Sequence, residues 1–242
     1  MDTPLSSILA LFPELTPVQI GQLTQLTQLF REWNERLNLV SRKDIEHFEE
    51  HHLLHSLLIA KCIQFPSRAR VMDLGTGGGL PGLPLAILFP EAQFYLVDSI
   101  TKKINAVAEM VTALGLKNAF PVNKRAELLE SKFDYVIGRA VAPLPEFAGW
   151  VRYSMRTRLS FIPPEAPPDA AKGLPVPGIL YLKGSLYHAE VAQLGVTPVS
   201  VYDLATLTTS EYFKDKYLVH LSARDVLNAL PPPEPTPTKK RR

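Results

Sequence analysis

The run Asp73-Leu74-Gly75-Thr76-Gly77-Gly78-Gly79-Leu80-Pro81-Gly82 restricts the folds open to this chain more than any other stretch. Apolar residues (Val71, Met72, Leu74) lead into it, and the helix-compatible Leu83 to Leu88 follows. A short buried strand therefore ends in a glycine-rich turn that opens a helix, which brings backbone N–H groups close to a nucleotide. Five glycines in eight positions remove the Cβ atoms that would block such an approach. A carboxylate at the strand end favours a cationic sulfonium ligand, adenosylmethionine, over a pyrophosphate. Gly77-x-Gly79-x-x-Gly82 also satisfies the dinucleotide pattern, so an NAD(P)-dependent oxidoreductase is the alternative enzyme class. A non-catalytic RNA-binding module is a third reading.

The second landmark, Gln93-Phe94-Tyr95-Leu96-Val97-Asp98-Ser99, is an apolar, β-rich run that ends in an acid 25 residues after Asp73. Asp98 can accept hydrogen bonds from the ribose hydroxyls of an adenosyl group, can cap the helix beginning near Ile100, or can do both. From residue 70 the chain alternates strands (70–74, 93–97, 119–122, 133–138, 178–183) with helices (81–89, 100–114, 145–155). That alternation predicts a parallel sheet with right-handed crossovers. Two later β-rich runs, 198–204 and 217–221, would complete seven strands with an antiparallel edge hairpin.

Upstream, Thr16-Pro17-Val18-Gln19 offers a capping box, and Leu23, Leu26, Phe30, Trp33 and Leu37 give one apolar stripe, predicting a helix over 17–39. A second helix is expected over 44–63. The domain reading is a helical extension over 1–66, packed on a core over 67–230, with a disordered basic tail over 231–242. Residues 160–178 hold six prolines and read as an inserted surface loop. His51 and His55, four apart, could present two nitrogens on one helix face. No H-E-x-x-H frame or third ligand accompanies them, so packing or an RNA-facing role is expected and no metal.

The single cysteine, Cys62, excludes an internal disulfide. No apolar run is long enough to cross a membrane, and Met1-Asp2-Thr3-Pro4 does not open a signal peptide, so a cytoplasmic protein is expected. Net charge is +2, and the last four residues supply four cations, which leaves the body at −2. A nucleic-acid partner must therefore be met by a local basic patch.

Four stretches together give the chain a likeness to a known family. They are Trp33-Asn34 with Leu37-Asn38-Leu39 and Ser41; Asp73 to Pro84; Val97-Asp98-Ser99 with Lys102-Lys103; and Gly138-Arg139-Ala140-Val141-Ala142. Leu182-Lys183-Gly184 fits a fifth. On these residues, spanning about 30–185, the chain resembles the bacterial 16S ribosomal RNA guanine-N7 methyltransferases of the RsmG (GidB) family. The resemblance implies a class I, Rossmann-like methyltransferase fold with a seven-stranded, mostly parallel sheet. It also implies S-adenosylmethionine as cofactor and, as substrate, a guanine in the decoding-centre hairpin of the small subunit. The family's Arg-His-Ile-Leu-Asp-Ser becomes His51-His52-Leu53-Leu54-His55-Ser56 here, so roles of that arginine and aspartate cannot be carried over.

The expected cofactor contacts are Gly75, Gly77, Leu80, Asp98, Ser99, Ala126, Glu127 and Arg139. The pair Ala126-Glu127 is assigned to the adenine by the resemblance alone. Arg139 stands where amino-group methyltransferases carry an Asp/Asn-Pro-Pro-Tyr motif, which this chain lacks. Its guanidinium suits a phosphate or the cofactor carboxylate. Phosphate contacts are expected from Lys102, Lys103, Arg125 and Lys183. Guanine N7 has an in-plane lone pair and no proton to lose, so no catalytic residue is assigned and positioning is the expected mechanism. The expected partner is 16S rRNA or the small ribosomal subunit, and the protein is expected to be a monomer.

Overall fold

The computed structural model describes residues 5–162, 166–167 and 171–230. Seven strands form one sheet: β1 (Arg70–Leu74), β2 (Gln93–Asp98), β3 (Ala119–Asn123), β4 (Tyr135–Arg139), β5 (Gly178–Gly184), β6 (Ser200–Asp203) and β7 (Lys216–Ser222). Their order is β3-β2-β1-β4-β5-β7-β6. Strands β1 to β5 pair in parallel, and β7 runs antiparallel between β5 and β6. This is the seven-stranded, mostly parallel sheet read from the sequence. Strand order reverses between β1 and β4, so the crevice above their carboxyl ends is where an open α/β sheet binds ligands.

Alternation along β1 sorts the core. Val71 joins the apolar cluster on the face covered by the N-terminal helices, while Met72 and Leu74 join the cluster on the other face. The helix Pro17–Leu37 starts with the expected capping box and stops because Asn38 turns left-handed at φ 46°. Its tandem Gln-Leu-Thr triplets divide three tasks. Leu23 and Leu26 are fully buried. Thr24 and Thr27 return hydrogen bonds to carbonyls four residues back. Gln22 and Gln25 donate to the carbonyls of Leu114 and Ala113, at the end of the helix Thr101–Ala113. Gln19 donates likewise to Ile87 O, at the end of the helix Gly82–Leu88. The long helix thus supplies partners to carbonyls that two core helices leave open.

Three elements depart from their expected form. The single helix over 44–63 is broken into a 3-10 turn (Asp44–His47), a π-helical turn (Glu49–Leu54) and short α segments at His55–Leu57 and Ile59–Cys62. Strand β4 starts at Tyr135, two residues later than expected, and the buried Asp134 carboxylate just before it accepts from Arg70 N and from the amide and hydroxyl of Ser160. Phe133 keeps only an isolated bridge to Met155. The helix over 145–155 is α only over Leu144–Val151, followed by a 3-10 turn. The tail over 231–242 and much of the proline-rich loop lie outside the described residues.

Candidate cofactor and acceptor site

The glycine-rich turn is held from beneath. Gly75 N and Thr76 N both donate to Val97 O of β2, at 2.8 and 3.0 Å. Oδ2 of Asp73 accepts from the Thr76 hydroxyl at 2.6 Å and from Gly82 N at 2.8 Å, stapling both ends of the turn. Asp73 is wholly buried, and burial pushes its pKa up to about 6 against the two hydrogen bonds that lower it. Asp73 lines neither cavity described below, so it acts by shaping the turn and, at most, on a ligand through its charge at a distance. Asp98 does two structural jobs. Oδ1 caps Ile100 N at 2.9 Å, and Oδ2 accepts from Gly77 N at 3.0 Å.

Two cavities flank this turn and share Gly75 and Ala140. The first, about 420 Å³, brings together Asp98, Ser99, Ala126, Glu127, Lys103 and Arg125, with Ile100 and Trp150 as apolar wall. The second, about 350 Å³, takes in Gly77, Leu80 and Arg139, with Phe30, Leu39 and Tyr212 opposite. The eight expected cofactor residues are therefore divided between adjoining spaces at the β1/β4 switch point. Gly77 has φ +57°, and a Cβ built on it would meet no heavy atom nearer than 3.9 Å. An open cradle at a left-handed glycine is what a closely approaching ligand requires.

Arg139, at the end of β4, turns toward the N-terminal segment. It donates through Nη1 to the carbonyls of His51 and His52, both at 3.4 Å, and through Nη2 to Nδ1 of His52 at 3.1 Å. Asp44 bridges two imidazoles, His51 Nδ1 at 2.7 Å and His52 Nε2 at 2.6 Å. Burial, reinforced by Arg139, drives the His52 pKa down to about 4. The His51 ring stacks on Tyr212, centroids 3.7 Å apart. Tyr212, Asp44 and Trp150 were not recognised as site residues in the sequence, since no local motif marks them, and His52, which keeps the histidine of the family stretch, was given no role of its own. His51 and His55 both line the second cavity, and among the described residues no group of three or more His, Cys, Asp or Glu could hold a metal.

Residues 19–162 match the family model described as "GidB: rRNA small subunit methyltransferase G". The ribosomal RNA small subunit methyltransferase G of Flavobacterium johnsoniae is 42% identical over 217 residues, covering 90% of this chain and 97% of that protein. Its namesake from Phocaeicola vulgatus is 42% identical over 215 residues, covering 89% and 97%. The chain belongs to the GidB family. That family is one of S-adenosylmethionine-dependent rRNA methyltransferases, and membership disfavours the oxidoreductase and cofactor-free readings. Among solved structures, a SAM-dependent methyltransferase from Aquifex aeolicus superposes with a TM-score of 0.49 at 12% identity, covering 75% of this chain and 100% of that one.

The residues of this GidB-family site suit an adenosyl cofactor. The Gly77 cradle is open, and the larger cavity sets two carboxylates, Asp98 and Glu127, and the Ser99 hydroxyl against an apolar wall. Two basic residues read as phosphate contacts sit otherwise than expected. Lys183 is withdrawn: its ammonium lies 2.7 Å from Glu190, with only 14% of the side chain exposed. Glu190 also accepts from Leu144 N, so the pair anchors the helix after the Arg139 loop. Lys102 is exposed but does not line the larger cavity, unlike its neighbour Lys103. Cys62 sits at the end of the N-terminal segment, and burial raises its thiol to about 12, which disfavours the thiolate that covalent attack would need. Cys62→Ser is expected to leave methyl transfer unchanged while shifting Tm only slightly. Loss of turnover with Tm preserved would indicate covalent chemistry instead.

Proposed function

We propose that this chain transfers a methyl group from S-adenosylmethionine to N7 of a guanine in 16S rRNA of the small ribosomal subunit, as a cytoplasmic monomer. The observation that carries this reading is the pair of cavities meeting at Gly75 and Ala140, which sets a nucleoside-sized space beside a second one floored by the glycine-rich turn. Asp98 and Ser99 would hold the ribose, and Ala126 and Glu127 would border the adenine beside Trp150. Gly75, Gly77, Leu80 and Arg139 would receive the amino-acid tail on the far side of the turn. When bound, the cofactor supplies an electrophilic methyl group, and everything else asked of the chain is positioning. Guanine N7 presents its lone pair with no proton to remove, so no general base is required and none is assigned. Positive charge moves from sulfur to purine without net change, so fixed dipoles of the turn serve both ends of the reaction.

The test has two arms. Calorimetry should show binding of adenosylmethionine and adenosylhomocysteine but not of NAD or NADP. Mass spectrometry of 16S rRNA incubated with the protein and labelled cofactor should place one methyl on a guanine N7. Tighter binding of a nicotinamide cofactor, or a methyl on another atom, would overturn the reading.

RNA contact is assigned to the rim of the larger cavity, lined by Lys103, Lys124 and Arg125, together with the exposed Lys102 next to Lys103 in the chain. Replacing Lys102 and Lys103 with alanine is expected to weaken RNA binding. The dependence of log affinity on log salt should flatten by about 1–2, the contribution of two phosphate contacts. Lys183→Ala should leave RNA affinity nearly unchanged, since its ammonium is already paired with Glu190. Removal of residues 231–242 should do much less than the double substitution. Filter binding across a salt series decides it, and a larger loss from Lys183→Ala than from the double variant would refute the assignment.

A further inference from the structure

Arg139 is enclosed by a segment 87 residues away in the chain, and the chemistry of that contact fixes more than packing. A guanidinium only donates, so Nδ1 of His52 must offer its lone pair to Nη2. An ionised carboxylate only accepts, so Nε2 of His52 must carry the proton that goes to Asp44. A single tautomer satisfies both, a neutral imidazole caught between an anion and a cation. The π-helical turn Glu49–Leu54 makes the arrangement possible, since it brings the carbonyls of His51 and His52 to Nη1 of the same arginine. Tyr212 adds a hydrogen bond to the His51 carbonyl at 3.3 Å and a stacked ring on the His51 side chain.

We propose that Asp44 and His52 are positioning residues for Arg139: Asp44 fixes the His52 tautomer, and His52 with the neighbouring carbonyls aims the remaining guanidinium donors into the cavity beside the glycine-rich turn. The helical segment before β1 is then part of the apparatus for methyl transfer, acting through Arg139 and not by touching cofactor or base. Burial keeps His52 neutral well below physiological pH, so the relay stays intact over the working range. The proposal rests on the methyltransferase reading and on Arg139 facing the ligands of that reaction.

A double-mutant cycle on the full chain tests it, with kcat and KM for cofactor and for 16S rRNA measured alongside Tm. His52→Leu should lower kcat/KM by about 10- to 100-fold, the cost of losing one hydrogen bond to a charged group. In an Arg139→Met background the same substitution should cost almost nothing further. His52→Asn, whose carbonyl sits where Nδ1 does, should recover most of the loss. Asp44→Asn, which leaves one acceptor for two imidazoles, should fall between and supplies the cycle if His52→Leu does not fold. Multiplying losses in the double variant, or full activity in His52→Leu, would overturn the proposal. Absence of methyl transfer by the unsubstituted chain would instead overturn the functional reading beneath it.

Discussion

Gly77→Val is expected to reduce adenosylmethionine affinity by at least about 100-fold while leaving a folded protein. Gly77 holds φ +57°, a conformation that costs an L-residue about 1–2 kcal/mol and a β-branched one more. The new Cβ would meet no protein atom nearer than 3.9 Å, so the side chain would project into the cavity the residue lines. Strain and occlusion act together, and only the strain appears in stability. Calorimetry with adenosylmethionine, paired with circular dichroism, separates them. Unchanged affinity in a folded variant would show that the ligand does not back onto this turn.

The largest stability effect is expected from Asp73→Ala. The variant strips the acceptor from the Thr76 hydroxyl and from Gly82 N, both buried. Two buried donors left without partners cost about 2–4 kcal/mol together, and the helix Gly82–Leu88 loses its anchor to β1. Asp73→Asn keeps a carbonyl oxygen for these donors and should cost less. The asparagine variant also carries a pH signature. Asp73 takes up its proton near pH 6 when folded, and unfolded it does so near the usual 3.9, so the folded state binds more protons in between. Its contribution therefore grows as pH falls through that window. His52 acts oppositely, because its folded value of about 4 lies below the unfolded value of about 6.5, and stability drains away as pH drops. Without the Asp73 carboxyl, the asparagine variant should lose stability more steeply on acidification than the parent. Urea denaturation at pH 7, 6 and 5 checks the sign, and parallel profiles would refute it.

What was legible in the sequence is what neighbours dictate. The glycine-rich turn, the acid ending β2 and the capping box at Thr16 are each specified within a dozen residues, and each was found where the pattern put it. That the sheet is mostly parallel with an antiparallel hairpin at one edge was legible in the alternation of strands and helices, whereas its strand order was not. What stayed hidden depends on distance along the chain. Lys183 read as a free cation because nothing adjacent announces Glu190 as its partner. Asp73 read as a ligand-facing charge because burial of its carboxylate is decided by the helices laid over β1. The Arg139–His52 contact spans 87 residues and the Tyr212–His51 contact 161, so no window of local sequence contains either. The break in the 44–63 helix has the same origin, since its π turn faces an arginine supplied by β4.

The glutamines of the first long helix carry a consequence for how the molecule comes apart. Gln19, Gln22 and Gln25 close hydrogen bonds on carbonyls at the ends of two helices that cover the sheet. Peeling that helix away would uncover Leu23, Leu26 and Phe30 and at the same moment unseal those helix ends. No stable half-molecule is left by such a step, so the N-terminal region and the sheet should melt as one cooperative unit. A shortened chain beginning at the first strand would be a poor starting point for engineering a minimal methyltransferase, however complete its glycine-rich turn.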